Sequence, residues 1–202
     1  MGIFGKSKKE AWQELAKSIS AKYVDGSLFK GSRVEYTYKD WMIYLDTYTV
    51  STGKSSVTYT RMRAPFININ NFQFKIYKKG IFSNVGKALG MQDIEVGCES
   101  FDNDFIIKGN NEESVKNLFL NYEIRDLIEK QSRIKFEVKK DEGSFGPKFK
   151  DNESELYFLV TGVIKDIDIL QNLFLLFTKV LDEFEVSGIT INITPQVKLY
   201  KE

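Results

Sequence analysis

The sequence predicts an α+β fold with largely antiparallel sheet. An N-terminal β-meander is expected to pack with an N-terminal amphipathic helix, two short central helices and a long apolar helix near the C-terminus. Three observations support this: strand patterns come in runs, helix patterns come in runs, and most connections are short. The 202 residues are 42% hydrophobic and 28% charged, as in folded domains. We expect one domain over 1–202, with two sub-lobes (about 1–97 and about 98–202) as the alternative division.

Hydrophobic periodicity places the elements of the first half. Apolar residues recur at helical spacing over Glu10–Tyr23, which predicts an amphipathic helix that ends at Asp25-Gly26. Alternation then predicts a four-stranded meander within Arg33–Tyr77. Its strands are expected around Tyr36 and Tyr38, over Trp41–Val50, over Val57–Arg63 and over Phe72–Tyr77, with Pro65 and Asn68–Asn71 between the last two. Gly80–Gly90 is expected to be a brief helix or an ordered loop, and Ile94–Val96 a small strand.

The centre of the chain, Phe101–Ile128, has the pattern of a strand, a turn and two capped helices. Its structural residues are Phe101, Asp102, Phe105 and Asn110. We expect the two phenylalanines in the core and the aspartate in an Asx-type turn before the strand. The asparagine, three residues before a glutamate, is expected to cap a helix from about 111 to 120. Asn121 is expected to cap the next helix.

The last third of the chain predicts a hairpin, the longest helix and a final strand. Alternation favours a strand over Arg133–Lys139, a loop over Asp141–Asn152, and a partner strand that contains Leu156, Phe158 and Val160. The helix is expected over Ile167–Phe184, with apolar residues on more than one face, and Gly188 is expected to end it. Isoleucines then alternate with polar residues over Ile189–Ile193, which predicts a last strand limited by Pro195.

The amino-acid composition excludes several kinds of active site and metal site. There is no histidine, so a Ser-His-Asp triad, a Cys-His nucleophile and a histidine zinc site are ruled out. Cys98 is the single cysteine, which excludes an intrachain disulfide. The net charge of +1 argues against nucleic acid as the main partner. We expect no cofactor, no metal and no catalytic residue, and we expect the cytoplasm as the compartment.

Two local motifs look like ligand sites but fail on spacing. Gly53-Lys54-Ser55 resembles the end of a phosphate loop, yet Tyr48 stands where the first glycine belongs and a strand pattern follows. Asp102-Asn103-Asp104 resembles the start of a calcium loop, yet Phe105 and two isoleucines follow. A hairpin turn and a local Asx turn are the favoured interpretations.

Tyrosines interleaved with basic residues on the meander are the candidate surface. The candidates are Tyr36, Tyr38, Tyr44, Tyr48, Tyr59, Arg61 and Arg63. Such a pattern on a sheet is typical of sites that bind single-stranded nucleic acid or sugars. Cross-strand pairing on a partly covered sheet face is the favoured alternative.

Two similar segments, GIFGKSK at Gly2 and GIFSNVGK at Gly80, pair Ile-Phe with glycine and lysine. An interfacial membrane contact is one interpretation, and coincidence is the favoured one.

The central motif also carries a resemblance. Its FD-x-x-F strand, turn and helix pattern resembles a family of uncharacterised bacterial and archaeal proteins, a domain of unknown function. The runs TYTVSTGKSSVTYTRMRAPF, FKIYKKGIFS and GMQDIEVG are similar to stand-alone members of such a group. The resemblance implies no activity, cofactor or site residue.

The sequence therefore supports one leading hypothesis of function and two alternatives. The first is a non-enzymatic cytoplasmic binding or scaffolding module with a protein partner or with self-association as a homo-oligomer. One rival is an enzyme based on carboxylates and lysines, such as Asp102, Asp104, Glu142 and Lys108, which would have to converge in one pocket. The other rival is a nucleic-acid or glycan binder on the meander.

Overall fold

One antiparallel sheet runs through the whole described part of the chain, which comprises residues 5–27, 31–51, 53–80, 91–131, 133–140 and 147–200 of a computed structural model. Its strands are β1 (Lys22–Val24), β2 (Arg33–Tyr38), β3 (Trp41–Ser51), β4 (Ser56–Ile67), β5 (Phe74–Lys78), β6 (Gln92–Asp93), β7 (Phe105–Gly109), β8 (Lys135–Lys139) and β9 (Glu153–Thr161). The helices are α1 (Lys8–Ser18), α2 (Glu99–Asp104), α3 (Glu112–Leu120), α4 (Tyr122–Glu129) and α5 (Ile167–Val186). The predicted α+β class is confirmed.

The order of strands across the sheet is β1-β2-β3-β4-β9-β8-β5-β7-β6, and every neighbouring pair is antiparallel. The meander β1–β4 continues directly into the hairpin formed by β9 and β8. Strand β5 then lies between β8 and β7, so strands from the two halves of the sequence are interleaved. The strands at both edges are short, which limits the unpaired backbone there.

Directly opposite residues form an apolar row on one face of the sheet. From β1 to β7 the apolar row is Tyr23, Val34, Leu45, Met62, Phe158, Phe136, Ile76 and Ile107. The buried residues of all five helices share one apolar cluster with this row. Helix α5 contributes most, through Phe184 against Phe66 and Phe177 against Phe136, with ring centroids 5.2 and 5.4 Å apart. The helices therefore cover this face, and the opposite face carries the polar side chains.

Side-chain caps fix the helix starts that position these contacts. Ser7 and Glu10 form a capping box at α1. Asn111 accepts a hydrogen bond from the backbone N–H of Ser114 at 2.9 Å and so caps α3. Asn121 caps α4 as predicted, and Asp166 caps α5.

The first helix is shorter than its periodicity predicts. It ends at Ser18, and Ser20 follows with a φ of 57°. The left-handed conformation of Ser20 cannot continue a right-handed α-helix, so the chain turns there. The predicted end of the helix is therefore wrong: Tyr23 belongs to β1, which pairs with β2.

Strand β4 is longer than predicted and contains Pro65. Its ladder with β3 ends at Arg63, whereas its ladder with β9 continues to Ile67. Pro65 thus lies where no β3 residue pairs with β4, so its missing N–H costs no hydrogen bond of that ladder.

Two predicted strands and one predicted cap are wrong. The small strand is Gln92–Asp93 rather than Ile94–Val96. Asn110 does not cap α3; its side chain binds the backbone N–H of Gln73 at 2.8 Å and so ties the end of β7 to the start of β5. Residues 189–193 form no strand.

The isoleucine alternation after α5 has a different cause. Gly188 adopts a φ of 68° after the helix, and the N–H of Ile189 returns to the carbonyl of Phe184 at 2.8 Å. Ile189 is then buried beside the helix end, while Ile191 and Ile193 are exposed. The predictions for residues 81–90 and for the tip of the loop at residues 141–146 lie outside the described residues.

Candidate functional site

The face of the sheet opposite the helices carries an uninterrupted row of polar side chains, one from every strand. From β1 to β6 this polar row is Lys22, Glu35, Tyr44, Arg63, Tyr157, Glu137, Lys75, Lys108 and Asp93. Except in β6, each member stands next in sequence to a member of the apolar row. The alternation of strand side chains therefore separates the two rows onto opposite faces.

A buried ion cluster lies beside the polar row on β3 and β4. Asp46 accepts two hydrogen bonds from Arg61, at 2.8 Å from Nε and 2.7 Å from Nη2. Arg63 donates from Nη2 to the same carboxylate at 3.0 Å. Asp46 is 5% exposed and Arg63 is 2% exposed, so the charges are held in a fixed geometry by one another.

Tyr200 completes this cluster from a distant part of the sequence. Its hydroxyl donates a short hydrogen bond to Oδ2 of Asp46 and accepts one from Nη2 of Arg63 at 2.8 Å. The guanidinium carbon of Arg33 lies 4.3 Å from the centroid of the Tyr200 ring. Tyr44 packs against the same ring with a centroid distance of 5.2 Å. The hydroxyl of Tyr200 is thus bound by Asp46 and Arg63. Its ring is bound by Arg33 and Tyr44.

The cluster shifts the pKa of Asp46 and the pKa of Tyr200. Burial opposes ionisation of Asp46, but the hydrogen bonds and charge of Arg61, with the charge of Arg63, lower the pKa of its carboxyl. Burial, followed by the negative charge of Asp46, raises the pKa of Tyr200. Asp46 therefore stays ionised and Tyr200 stays a neutral phenol at neutral pH.

Tyr200 belongs to an irregular segment that contacts the polar face. We call residues 194–200 the covering segment; none of them belongs to a strand. Within the described chain, Gln196 and Tyr200 make all of its hydrogen bonds to the rest of the protein. The Gln196 N–H donates to Glu153 at 2.7 Å, and its side-chain oxygen accepts from Lys150. The covering segment is thus held by side chains rather than by a strand ladder.

A cavity of about 450 Å³ separates the covering segment from the sheet. Met42, Tyr44 and Pro65 line it on the sheet side, and residues of the covering segment line the other side. It opens where the β3–β4 ladder has ended, because the two strands no longer pair beyond Arg63. Its volume is in the range of pockets that take up a small ligand or a large side chain.

Lysines surround one carboxylate at the other end of the polar row. Glu137 lies 3.0 Å from Lys135, 3.2 Å from Lys75 and 3.9 Å from Lys139. Burial opposes ionisation of Glu137, but these lysines lower its pKa. The Lys139 ammonium also lies 3.7 Å from the centroid of the Tyr157 ring.

The structure separates the predicted surface candidates onto two faces. Tyr44, Tyr48, Tyr59, Arg61 and Arg63 project from the polar face, and Tyr48 packs against Tyr59 at 6.4 Å.

The other two candidates, Tyr36 and Tyr38, project from the opposite face. The ring of Tyr36 meets Phe174 of α5 edge-on at 5.7 Å, and the Tyr38 hydroxyl donates to Asp182 of α5 at 2.7 Å. The seven candidates therefore do not share one surface, because Tyr36 and Tyr38 of β2 project toward the helices.

The structural residues of the central motif are placed around α2 and β7. Phe101 is in α2 and Phe105 begins β7, with ring centroids 4.7 Å apart in the core. Asp102 accepts hydrogen bonds from the N–H groups of Val96 and Gly97, at 2.9 and 2.8 Å. Asp102 therefore closes the loop that precedes α2 from within that helix, and the predicted Asx-type turn before the strand is wrong.

Of the described residues in the enzyme hypothesis, Asp102 lines a cavity of about 480 Å³, whereas Asp104 and Lys108 do not line it. Asp104 lies 3.6 Å from Lys78, while Lys108 pairs with Asp93 at 2.7 Å. Glu142 lies outside the described residues. In the described ranges, no group of three or more acidic or cysteine side chains is arranged to hold a metal ion.

Comparisons of this chain with protein-family models, with curated proteins and with solved structures give no match. The resemblance of Phe101–Ile128 to a domain of unknown function stays a prediction. No helix in the described part of the chain is both long and apolar enough to cross a membrane.

Asp46 and Tyr200 are the site residues that sequence reasoning missed. A signal for Asp46 exists: if Ser51 pairs with Ser56 across the hairpin, Asp46 falls opposite Arg61, and this is the observed register. A lone carboxylate opposite an arginine, with a second arginine two residues on, predicts an ion cluster. No comparable signal exists for Tyr200, because its position depends on the path of the chain after α5.

Proposed function

We propose that this protein is a non-enzymatic binding module, and that the polar face of its sheet binds an extended segment of a partner protein. The observation that carries the proposal is the covering segment, a stretch of polypeptide outside any helix or strand that already occupies this face. The cytoplasm is part of the proposal as the expected compartment.

The contacts of the covering segment indicate how a partner would be bound. Extended peptides commonly add to a sheet by pairing with an edge strand. Here the polypeptide crosses the middle of the sheet instead, over β3 and β4, and side chains bind it. Recognition by side chains makes the site selective for the sequence of its occupant.

The charges of the site are arranged before any partner arrives. Arg61 and Arg63 each donate to Asp46 at 2.7–3.0 Å, and Asp46 and Arg63 are buried. Because these groups are already ordered, a partner would lose little free energy in organising them.

A peptide titration tests the proposal. The probe is a fluorescein-labelled peptide with the sequence of residues 191–200, added to the full chain with Tyr200→Ala so that the phenol site is vacant. We expect a saturable rise in fluorescence anisotropy. The matched control is the double variant Tyr200→Ala, Tyr122→Ala, which removes an exposed tyrosine at the start of α4 on the opposite side of the sheet and should bind equally well.

Absence of saturable binding by a variant whose circular dichroism matches that of the wild type would refute the proposal. Binding that is unchanged by Arg63→Ala in the Tyr200→Ala background would place the peptide elsewhere.

A further inference from the structure

We infer that the partner segment presents a tyrosine with a free hydroxyl, and that this tyrosine displaces the protein's own Tyr200 from the polar face. The inference rests on the proposed function and specifies the chemistry of the partner and the regulation of the site.

The site at the Tyr200 hydroxyl is built for a group that both donates and accepts a hydrogen bond. Asp46 is an acceptor and Arg63 is a donor, and both converge on the same phenol oxygen. Both side chains are almost completely buried. A phenylalanine in this place would remove the hydrogen bond that Asp46 accepts, and such a loss at a buried polar group typically costs about 1–3 kcal/mol. That energy corresponds to roughly tenfold or more in affinity.

The surroundings of the ring select an aromatic body. Arg33 lies over the ring at 4.3 Å and the Arg63 guanidinium carbon lies 5.3 Å from its centroid. Tyr44 closes a third side. An aliphatic side chain would lose the attraction between these cations and the π-face.

The negative charge of Asp46 selects against an anionic group at the end of the ring. A phosphotyrosine would bring at least one further negative charge against this carboxylate. The two arginines nearest to it already donate to Asp46. A phosphorylated tyrosine should therefore bind more weakly than the free phenol.

The attachment of the covering segment makes displacement feasible. Gln196 and Tyr200 make its hydrogen bonds to the rest of the described chain, and several of its residues are exposed. A segment that is part of the same chain competes at a high effective concentration, so it weakens the apparent affinity for a partner without preventing binding. The covering segment thus acts as a built-in competitor.

A panel of three peptides tests both parts of the inference. The labelled peptide of residues 191–200 is prepared with tyrosine, phenylalanine or phosphotyrosine at the position of Tyr200, and each is titrated against full-length wild type, Tyr200→Ala and Tyr200→Phe. For Tyr200→Ala we expect the tyrosine peptide to bind about tenfold or more tightly than the other two. We also expect the wild type to bind the tyrosine peptide about tenfold or more weakly than Tyr200→Ala does.

The outcomes separate this inference from the proposed function. Equal affinity for the tyrosine and phenylalanine peptides would overturn the phenol specificity, and tighter binding of phosphotyrosine would show that the arginines select an anion. Equal binding by the wild type and Tyr200→Ala would overturn displacement. No binding of any peptide by any folded variant would refute the proposed function itself. Tyr200→Phe retains the ring and so replaces Tyr200→Ala in these comparisons if the alanine variant does not fold.

Discussion

The two faces of the sheet are made by the same strands but differ in what determines their structure. On one face the apolar row packs against the helices. On the other face, oppositely charged side chains of the polar row and of the Asp46 cluster form ion pairs. Phe136 and Glu137 illustrate the difference, because they are adjacent in β8 and point in opposite directions. Burial on the first face removes apolar area from water. Burial on the second face requires that each charge has a partner.

The difference shows where this fold tolerates change. The apolar face depends on volume and shape, so similar hydrophobic residues can replace one another at small cost. The polar face depends on specific pairs, because losing one member leaves the other charged and buried.

Phe136→Ala tests the apolar face. The Phe136 side chain is fully buried and contacts Phe74 and Phe177, each with a ring centroid distance of 5.4 Å. Its truncation should lower the free energy of unfolding by about 3–5 kcal/mol because it leaves a cavity. The adjacent Glu137→Gln is the comparison variant and should cost less, about 1.5–3 kcal/mol, because the amide keeps the volume of the buried side chain and removes only its charge beside three lysines. Urea denaturation measures both, and equal costs would contradict the comparison.

Asp46→Ala tests the polar face. Removing the carboxylate leaves Arg61 and Arg63 close together without the charge that they share, which should lower the free energy of unfolding by about 3 kcal/mol. Tyr200 should also lose its ordered position, because its hydroxyl donates to Asp46. Urea denaturation gives the first effect and near-ultraviolet circular dichroism of the tyrosines gives the second. A variant as stable as the wild type would show that the cluster contributes nothing to the fold.

An alkaline titration compares one tyrosine from each face and should give the smallest effect. On the helix-covered face, burial and the hydrogen bond to Asp182 raise the pKa of Tyr38 to about 12. On the polar face, burial and Asp46 raise the pKa of Tyr200. Because both are raised above the unfolded value of about 10, their contribution to stability is complete below pH 10. It is lost as the pH rises through the folded values.

The absorbance of tyrosinate should therefore contain a late component in the wild type. Tyr38→Phe and Tyr200→Phe should each remove part of it. If neither variant changes the late component, the phenols are not held as the structure shows.

Much of the fold could be predicted from local patterns. The faces of β3, the buried stripe of α4, the cap at Asn121 and the extent of α5 all follow from periodicity and capping chemistry. The wrong predictions occur where one local sequence pattern is compatible with two different structures. Asn110 and Asn111 are both good caps, and β5 takes the side chain of Asn110. The isoleucines after α5 alternate like a strand, yet Ile189 packs against the helix end.

The candidate site could be predicted only in part. Arg61 and Arg63 are recognisable in the sequence because they lie near tyrosines. Tyr36 and Tyr38, however, lie on the face of the sheet that packs against the helices. Strand alternation within β2 was visible; which face the helices would cover was not.

Sequence patterns alone were enough to establish the α+β class, the alternation that separates the two rows, and the exclusion of histidine chemistry. These depend on the period of side chains along a strand or helix and on composition, which are local properties. The folded structure was needed to establish that β5 lies between β8 and β7 and that Tyr200 contacts Asp46, 154 positions away in the sequence. Such contacts depend on the path of the whole chain, because no local period relates residues that are brought together only when the sheet has formed.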